Sequence, residues 1–228
     1  LPVLEYQSGL IEINFETGFL VRNELFQNFG KTCSYVALSC DENIEVWKQM
    51  QYPNTWRSVD QALSNNIATI GENMNIRRSV ILKVSNGIVI SYIHNNVADG
   101  LGKLGVLVAL ESDADKEKLS IAGKQIAMHI AATSPQSLNI DDLDEDLVNR
   151  ERQVLIDQAV ASGKPKEIAE KVVAGRMKKY YQEVVLNEQV SVIDGESKIK
   201  DVIKNLQNHL NTDVKLAGFK KLKLGEGI

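Results

Sequence analysis

The chain has 228 residues, enough for one large domain or two small ones with a buried core. Its formal net charge of −4 gives a whole-chain field that repels phosphate backbones, so nucleic acid is disfavoured as a direct partner. No apolar run approaches the ~20 residues a membrane helix needs, and the opening "LPVLEYQSG" lacks the charged and apolar regions of a signal peptide, so neither a membrane span nor export is expected.

The first elements are short apolar runs, Val3 to Tyr6 and Leu10 to Phe15, around "QSG"; they suit a hairpin. The strand then gives way to "NFETGFLVRNE", a polar turn with Phe19 at the start of a helical pattern. A large aromatic at such a corner is either a plug buried by the fold or a wedge meant for another protein, and the residues alone leave both open. Residues 20–40 carry Phe26, Phe29, Cys33, Val36 and Ala37 at helical spacing. On that helix Cys33 and Cys40 would lie about 10 Å apart, too far for a disulfide, so free buried thiols are expected. "RSVDQALSNNIATI" places Val59, Leu63, Ile67 and Ile70 on one helix face, with Gly71 suited to the C-terminal cap. "NIRRSVILKV" returns to strand character.

The second half repeats this order. "GIVISYIH" and "KLGVLVALES" are strand-like, and a helix follows from about Lys116 to Ala132, lined by Leu119, Ala122, Ile126 and Ile130. Ile199, Val202, Ile203, Leu206 and Leu210 form another helix face, and "GFKKLKLGEG" closes the chain as a strand. "GLIEINFET" and "GVLVALES" run alike, each followed by a Gly-Lys pair, Gly30-Lys31 and Gly123-Lys124. "IRRSVIL" and "FKKLKL" both place paired cations in a closing strand. These likenesses predict an internal duplication and an α+β fold: two subdomains, each a small antiparallel sheet covered by helices. The expected division is 1–84, then 85–140 with 187–228, and 141–186 as an insertion. In that insertion "DDLDEDL" starts a helix running to about Ser162, Gly163 ends it, and Pro165 opens the first turn of a second helix striped with Ala169, Val172, Val173, Met177, Tyr180 and Val184. The pair reads as a projecting antiparallel helical hairpin.

Catalytic and metal patterns do not fit. "GKT" at Gly30 lacks the glycine five residues upstream that a phosphate loop needs; that position is Leu25. His94, His129 and His209 are far apart and lack metal-ligand spacing. "DDLDEDL" lacks the central glycine of a calcium loop. No nucleophile elbow is present. Neither metal nor cofactor is therefore expected. His129 borders an apolar helix face and reads as a half-buried core histidine. His94 follows a strand and opens the polar stretch "HNNVADGLG", where binding groups tend to sit.

Taken together, "IEINFETGFLVRNELFQNF", "IGENMNIRR", "SYIH", "LGVLVALE", "IAMHIAA", "SGKPKEIAEKVVAGRMKKYYQEVVLNEQ" and "GFKKLKLGEG" resemble bacterial elongation factor Ts, in order and over nearly the whole chain. The resemblance implies the two-subdomain α+β core with a helical hairpin. It implies a guanine-nucleotide exchange factor for elongation factor Tu in the bacterial cytoplasm, not a bond-making enzyme. It also implies that the corner Thr17, Gly18, Phe19 and Leu20 dislocates the partner's magnesium ion, and that His94 contacts the same nucleotide-binding domain. A homodimer, or a heterotetramer with elongation factor Tu, are the assemblies it leaves open. Three departures stand out. The family corner reads Thr-Asp-Phe-Val, and here Gly18 replaces the acid and Leu20 the valine. The family's N-terminal three-helix module is expected to be missing, since residue 1 already falls in the first core strand. Some members extend past "GEGI" with a last helix. The alternative is a binding-only module for elongation factor Tu with weak exchange.

Overall fold

The computed structural model describes residues 3–4, 6–39, 43–163 and 165–227. Cys40 lies outside the described residues; Cys33 is a buried free thiol whose pKa burial pushes up. The architecture is α+β, with two three-stranded antiparallel sheets. Strands β1 (Val3–Leu4), β2 (Gln7–Phe15) and β3 (Met74–Lys83) form the first, in that order; β4 (Ile88–Ala98), β5 (Leu101–Glu111) and β6 (Lys215–Lys223) form the second. Between β2 and β3 lie α1 (Glu24–Ala37), α2 (Ile44–Gln49) and α3 (Val59–Ile70); after β5 come α4 (Lys116–Thr133), α5 (Glu145–Ala161), α6 (Lys166–Val184) and α7 (Ile199–Leu210). Two compact units divide the chain: residues 1–131 with 207–228, and residues 132–206.

The first unit is layered. Ile13, Phe26, Phe29, Cys33, Trp47, Val59, Leu63 and Ile76 form a core between the first sheet and α1, α2 and α3. On its other face, Leu10, Val80 and Leu82 meet Val89, Leu107, Ala109 and Leu222 of the second sheet. The remaining face of the second sheet receives α4. There Gly123 permits a close approach: a Cβ added to it would lie 2.4 Å from Ile90 Cδ1 and 2.6 Å from its Cγ1. A Gly123→Ala substitution gains up to about 1 kcal/mol of helix propensity but forces a packed core side chain to move, at about 1–3 kcal/mol. We expect a lowered thermal midpoint, partly restored by Ile90→Val, as a double-mutant cycle would measure.

Local sequence explains most boundaries. The hairpin of β1 and β2 forms as expected, pairing Leu4 with Gln7, but "QSG" lies inside β2 and not in the turn. Ser58 and Gln61 make a reciprocal capping box at the start of α3, and Gly71 ends it at φ 81°. The expected helix over 20–40 is a single 3-10 turn, Leu20–Arg22, then α1. Short α2 was not anticipated; Asn43 caps it by accepting from the N–H groups of Glu45 and Val46.

The duplication has a signature that the residue likeness misplaced. Each sheet carries a bulge, one between Glu12 and Ile13 of β2 against β3, the other between Ala109 and Leu110 of β5 against β6. Glu12 pairs with Arg78 and Ile13 with Ile76, leaving Arg77 as the extra residue. Ala109 pairs with Gly218 and Leu110 with Leu216, leaving Ala217. By register, Arg77-Arg78 therefore corresponds to Ala217-Gly218, not to Lys220-Lys221. A bulge sets two residues against one. That is how consecutive arginines both reach the buried carboxylate of Glu12: Arg77 Nη1 donates to both oxygens at 3.2 Å, and Arg78 Nε donates to Oε2 at 2.5 Å. The N–H of Gly225 adds a third donor at 2.9 Å. Arg77 also donates to the carbonyls of Glu226 and Gly227, so the closing turn is tied to β2 and β3.

In the second unit, α5 and α6 run as a hairpin closed on Leu155, Ala159 and Met177. Asp144 caps α5 after a 3-10 turn at Ile140–Asp142, so the helix starts within the acidic run, with Glu145 and Asp146 in its first turn, as expected. Gly163 follows the C-cap at φ 66°, as expected, whereas Pro165 occupies the N-cap and not the first turn of α6. Glu188 accepts from Lys198 at 2.5 Å and Lys200 at 2.6 Å, and these two ammonium groups hold its carboxyl below the usual range.

Candidate functional site at the strand-to-helix corner

The corner after β2 is short and heavily braced. Thr17 donates its hydroxyl to Glu72 at 2.5 Å, and its N–H points to the same carboxylate at 3.3 Å. Glu72 sits between α3 and β3, so the corner is tied to the far end of the first sheet's helical layer. The 3-10 turn closes through the N–H of Leu20 on the carbonyl of Thr17 and the N–H of Arg22 on that of Phe19. Asn23 accepts from the N–H groups of Leu25 and Phe26 and so starts α1. Leu20 is buried in the helix core. Its neighbour Phe19 points the other way and is 83% exposed. An exposed phenyl ring on so fixed a backbone is an uncovered apolar group held ready, and the two readings of Phe19 separate here: it is not a core plug.

Gly18 lies beside it in open space. A Cβ added there meets nothing within 4 Å. An aspartate at this position would fit without strain, but it would not cap α1, because Asn23 does that five residues later.

His94 is exposed but not in a loop. The stretch "HNNVADGLG" continues β4 to Ala98, and His94 pairs with Leu104 of β5. The long hairpin keeps pairing because Asn95 takes φ 49° and the register shifts between Asn96 and Ala98, which lets the polar run twist without breaking. Tyr92, two residues away on the same strand face, holds His94 Nδ1 at 3.0 Å through its hydroxyl. His129 is fully buried, further inside than its sequence position implies.

Sequence reasoning did not find Glu72 or Tyr92. The "IGENMNIRR" run contained the first, but nothing in it marks a contact 55 residues back to Thr17. Trp56, wholly exposed on the loop between α2 and α3, was also passed over.

The described residues contain no cluster that could hold a metal ion, and no helix among them is long and apolar enough to cross a membrane. Comparison with known families places residues 16–226 on the model described as Elongation factor TS. The chain belongs to the elongation factor Ts family. It is 52% identical over 218 residues to the Elongation factor Ts of Rhodospirillum centenum, covering 96% of this chain and 71% of that protein. Those of Paramagnetospirillum magneticum and Rhodospirillum rubrum are 50% and 49% identical, with 70% and 72% of their lengths covered. Family membership makes this chain a translation elongation factor. Both the braced corner and the β4–β5 hairpin lie within the span that matches the elongation factor Ts model.

Proposed function

We propose that the chain is a guanine-nucleotide exchange factor: it binds elongation factor Tu carrying GDP, disturbs the bound magnesium ion and promotes GDP release without making or breaking a covalent bond. The observation that carries this reading is Phe19, exposed on a corner fixed by Glu72, Leu20 and Asn23. Thr17, Gly18 and Phe19 form the outward surface of the corner, and Leu20 anchors it from beneath. His94, oriented by Tyr92, supplies a second contact to the nucleotide-binding domain. We also take residues 141–186 as the family's hairpin insertion between core segments 1–84, 85–140 and 187–228.

The energetics require several contacts. Nucleotide in a P-loop GTPase is held by backbone N–H groups, a lysine and Mg²⁺. An acceleration of ~10⁴ in release corresponds to about 5.5 kcal/mol of barrier, and a single interface aromatic contributes about 2–4 kcal/mol. The corner therefore acts with His94 and the rest of the interface, and exchange-factor and nucleotide binding oppose one another reciprocally. Release of fluorescent GDP from elongation factor Tu, followed by stopped flow with increasing amounts of this chain, tests the reading. Saturable acceleration supports it.

One observation favours a second reading, a module that binds without efficient exchange: position 18 carries no carboxylate. A complex on size exclusion with no acceleration of release would support that reading. Gly18→Asp separates the two. The open space at Gly18 predicts a stability change within about 0.5 kcal/mol, with faster exchange as the expected gain. An unchanged rate would show that the acid is dispensable at this corner.

A further inference from the structure

The lysines of the two Gly-Lys pairs in the duplicated halves line one pocket. Gly30 and Gly123 are both buried where α1 and α4 lie against strands, Gly30 near Ile13 and Leu101 and Gly123 against Ile90. Each glycine brings the lysine after it to the same rim. Lys31 and Lys124 line a pocket of about 520 Å³ with Tyr35, Ser91, Ile93 and Asn96, closed at one end by the β4–β5 turn. The pocket is open to solvent, with Tyr35, Asn96, Asp99 and Lys124 exposed. Two ammonium groups, two hydroxyls and a carboxamide converge there, a donor set suited to an oxyanion.

The one carboxylate among the described lining residues is Asp99. Its side chain is fully exposed, and Oδ2 stands 3.8 Å from Lys31 Nζ. So loose a pair at the surface contributes little stability. It acts as an internal anion that a better ligand can replace.

We propose that this pocket binds a phosphate-bearing small molecule. The phosphate lies between Lys31 and Lys124 in place of the Asp99 carboxylate, and Tyr35 and Ile93 face the body of the ligand. Ser91 and Ile93 enter it from one face of β4, while Lys124 reaches it from α4, which packs on the Ile90 face. The test uses the chain alone, without the translation partner, so its failure leaves the exchange reading untouched.

The probe is inorganic pyrophosphate, titrated into the full ¹⁵N-labelled chain at low ionic strength. Saturable shifts are expected at the amides of Ser91, Asn96 and Gly100. Lys31→Ala and Lys124→Ala should each weaken binding about fivefold or more. Asp99→Asn should tighten it about threefold, because it removes the competing charge. Lys204→Ala, at a residue that does not line the pocket, should change nothing. Shifts that fail to saturate, affinity indifferent to both pocket lysines, or weaker binding by Asp99→Asn would each overturn the proposal.

Discussion

Phe19→Ala is expected to leave the fold intact and to remove most of the exchange activity. The ring is 83% exposed, so truncation deletes almost no internal contact and stability should change by less than about 0.5 kcal/mol. At an interface the same ring is worth about 2–4 kcal/mol. If that energy is expressed in the barrier to GDP release, the rate at saturating exchange factor falls about 30- to 1000-fold. Phe19→Leu keeps part of the apolar volume and should fall between wild type and alanine. Thr17→Ala leaves the ring in place but cuts its tie to Glu72. It should reduce exchange about tenfold, since one hydrogen bond to a charged group is worth about 1.5 kcal/mol. Stopped-flow release with the three variants orders these effects. An unchanged rate for Phe19→Ala would refute the wedge.

The largest stability effect is expected at Glu12. Its carboxylate is 4% exposed and takes donors from Arg77, Arg78 and the N–H of Gly225. Glu12→Gln keeps the shape, removes the charge and leaves two guanidinium groups facing an amide. Breaking a buried pair on one side costs about 3–5 kcal/mol. For a chain of this length each kcal/mol moves the midpoint by about 2–4 °C, so thermal unfolding should begin roughly 6–20 °C lower. The pH dependence carries the same information. Burial pushes the Glu12 carboxyl up, but the Gly225 N–H and the two guanidinium groups outweigh it and hold it below the usual carboxylate range. A carboxyl depressed in the folded state contributes stability that is present above its unfolded pKa. That contribution is lost as the pH falls through the folded value. Wild type should thus lose stability on acidification below the ordinary glutamate range, and Glu12→Gln should show a flatter limb there. Identical midpoints at neutral pH would show that the arginines find equivalent partners elsewhere.

How much of this was legible in the sequence depended on distance along the chain. The face of α3, its Ser58 and Gly71 caps and the Gly163 break are local arrangements, and local patterns reveal them. The α+β class followed from the same patterns. Phe19 was singled out by its place at a corner, although only the buried direction of Leu20 settles which way the ring faces. Glu12 was not legible. In "LIEINF" it alternates with apolar residues and looks like the wet side of a half-buried strand. It is buried because the second sheet and the closing turn cover that face, and no local pattern reports this. His94 was misplaced for a related reason. Asparagines and glycines indicate a loop by propensity, but pairing with β5 overrides propensity across the whole stretch. "GKT" was correctly refused as a phosphate loop. Its pairing with Gly123-Lys124 gained meaning only once Lys31 and Lys124 were seen to line one pocket.

The bond from Gly225 to Glu12 also sets a schedule. It spans 213 residues, so the Glu12 carboxylate waits for the turn after β6 to leave the ribosome. At about 5–20 residues per second that delay is about 10 to 40 seconds. Until then the first sheet lacks Leu222 of β6, which joins the layer over Leu10, and the donor that completes the Glu12 cluster. Helices α1 and α3 can form early, since their contacts are local, but the sheet-on-sheet core must close late. A nascent chain halted before β6 should therefore be protease-sensitive at β2 and β3, although every residue of both strands has long been made.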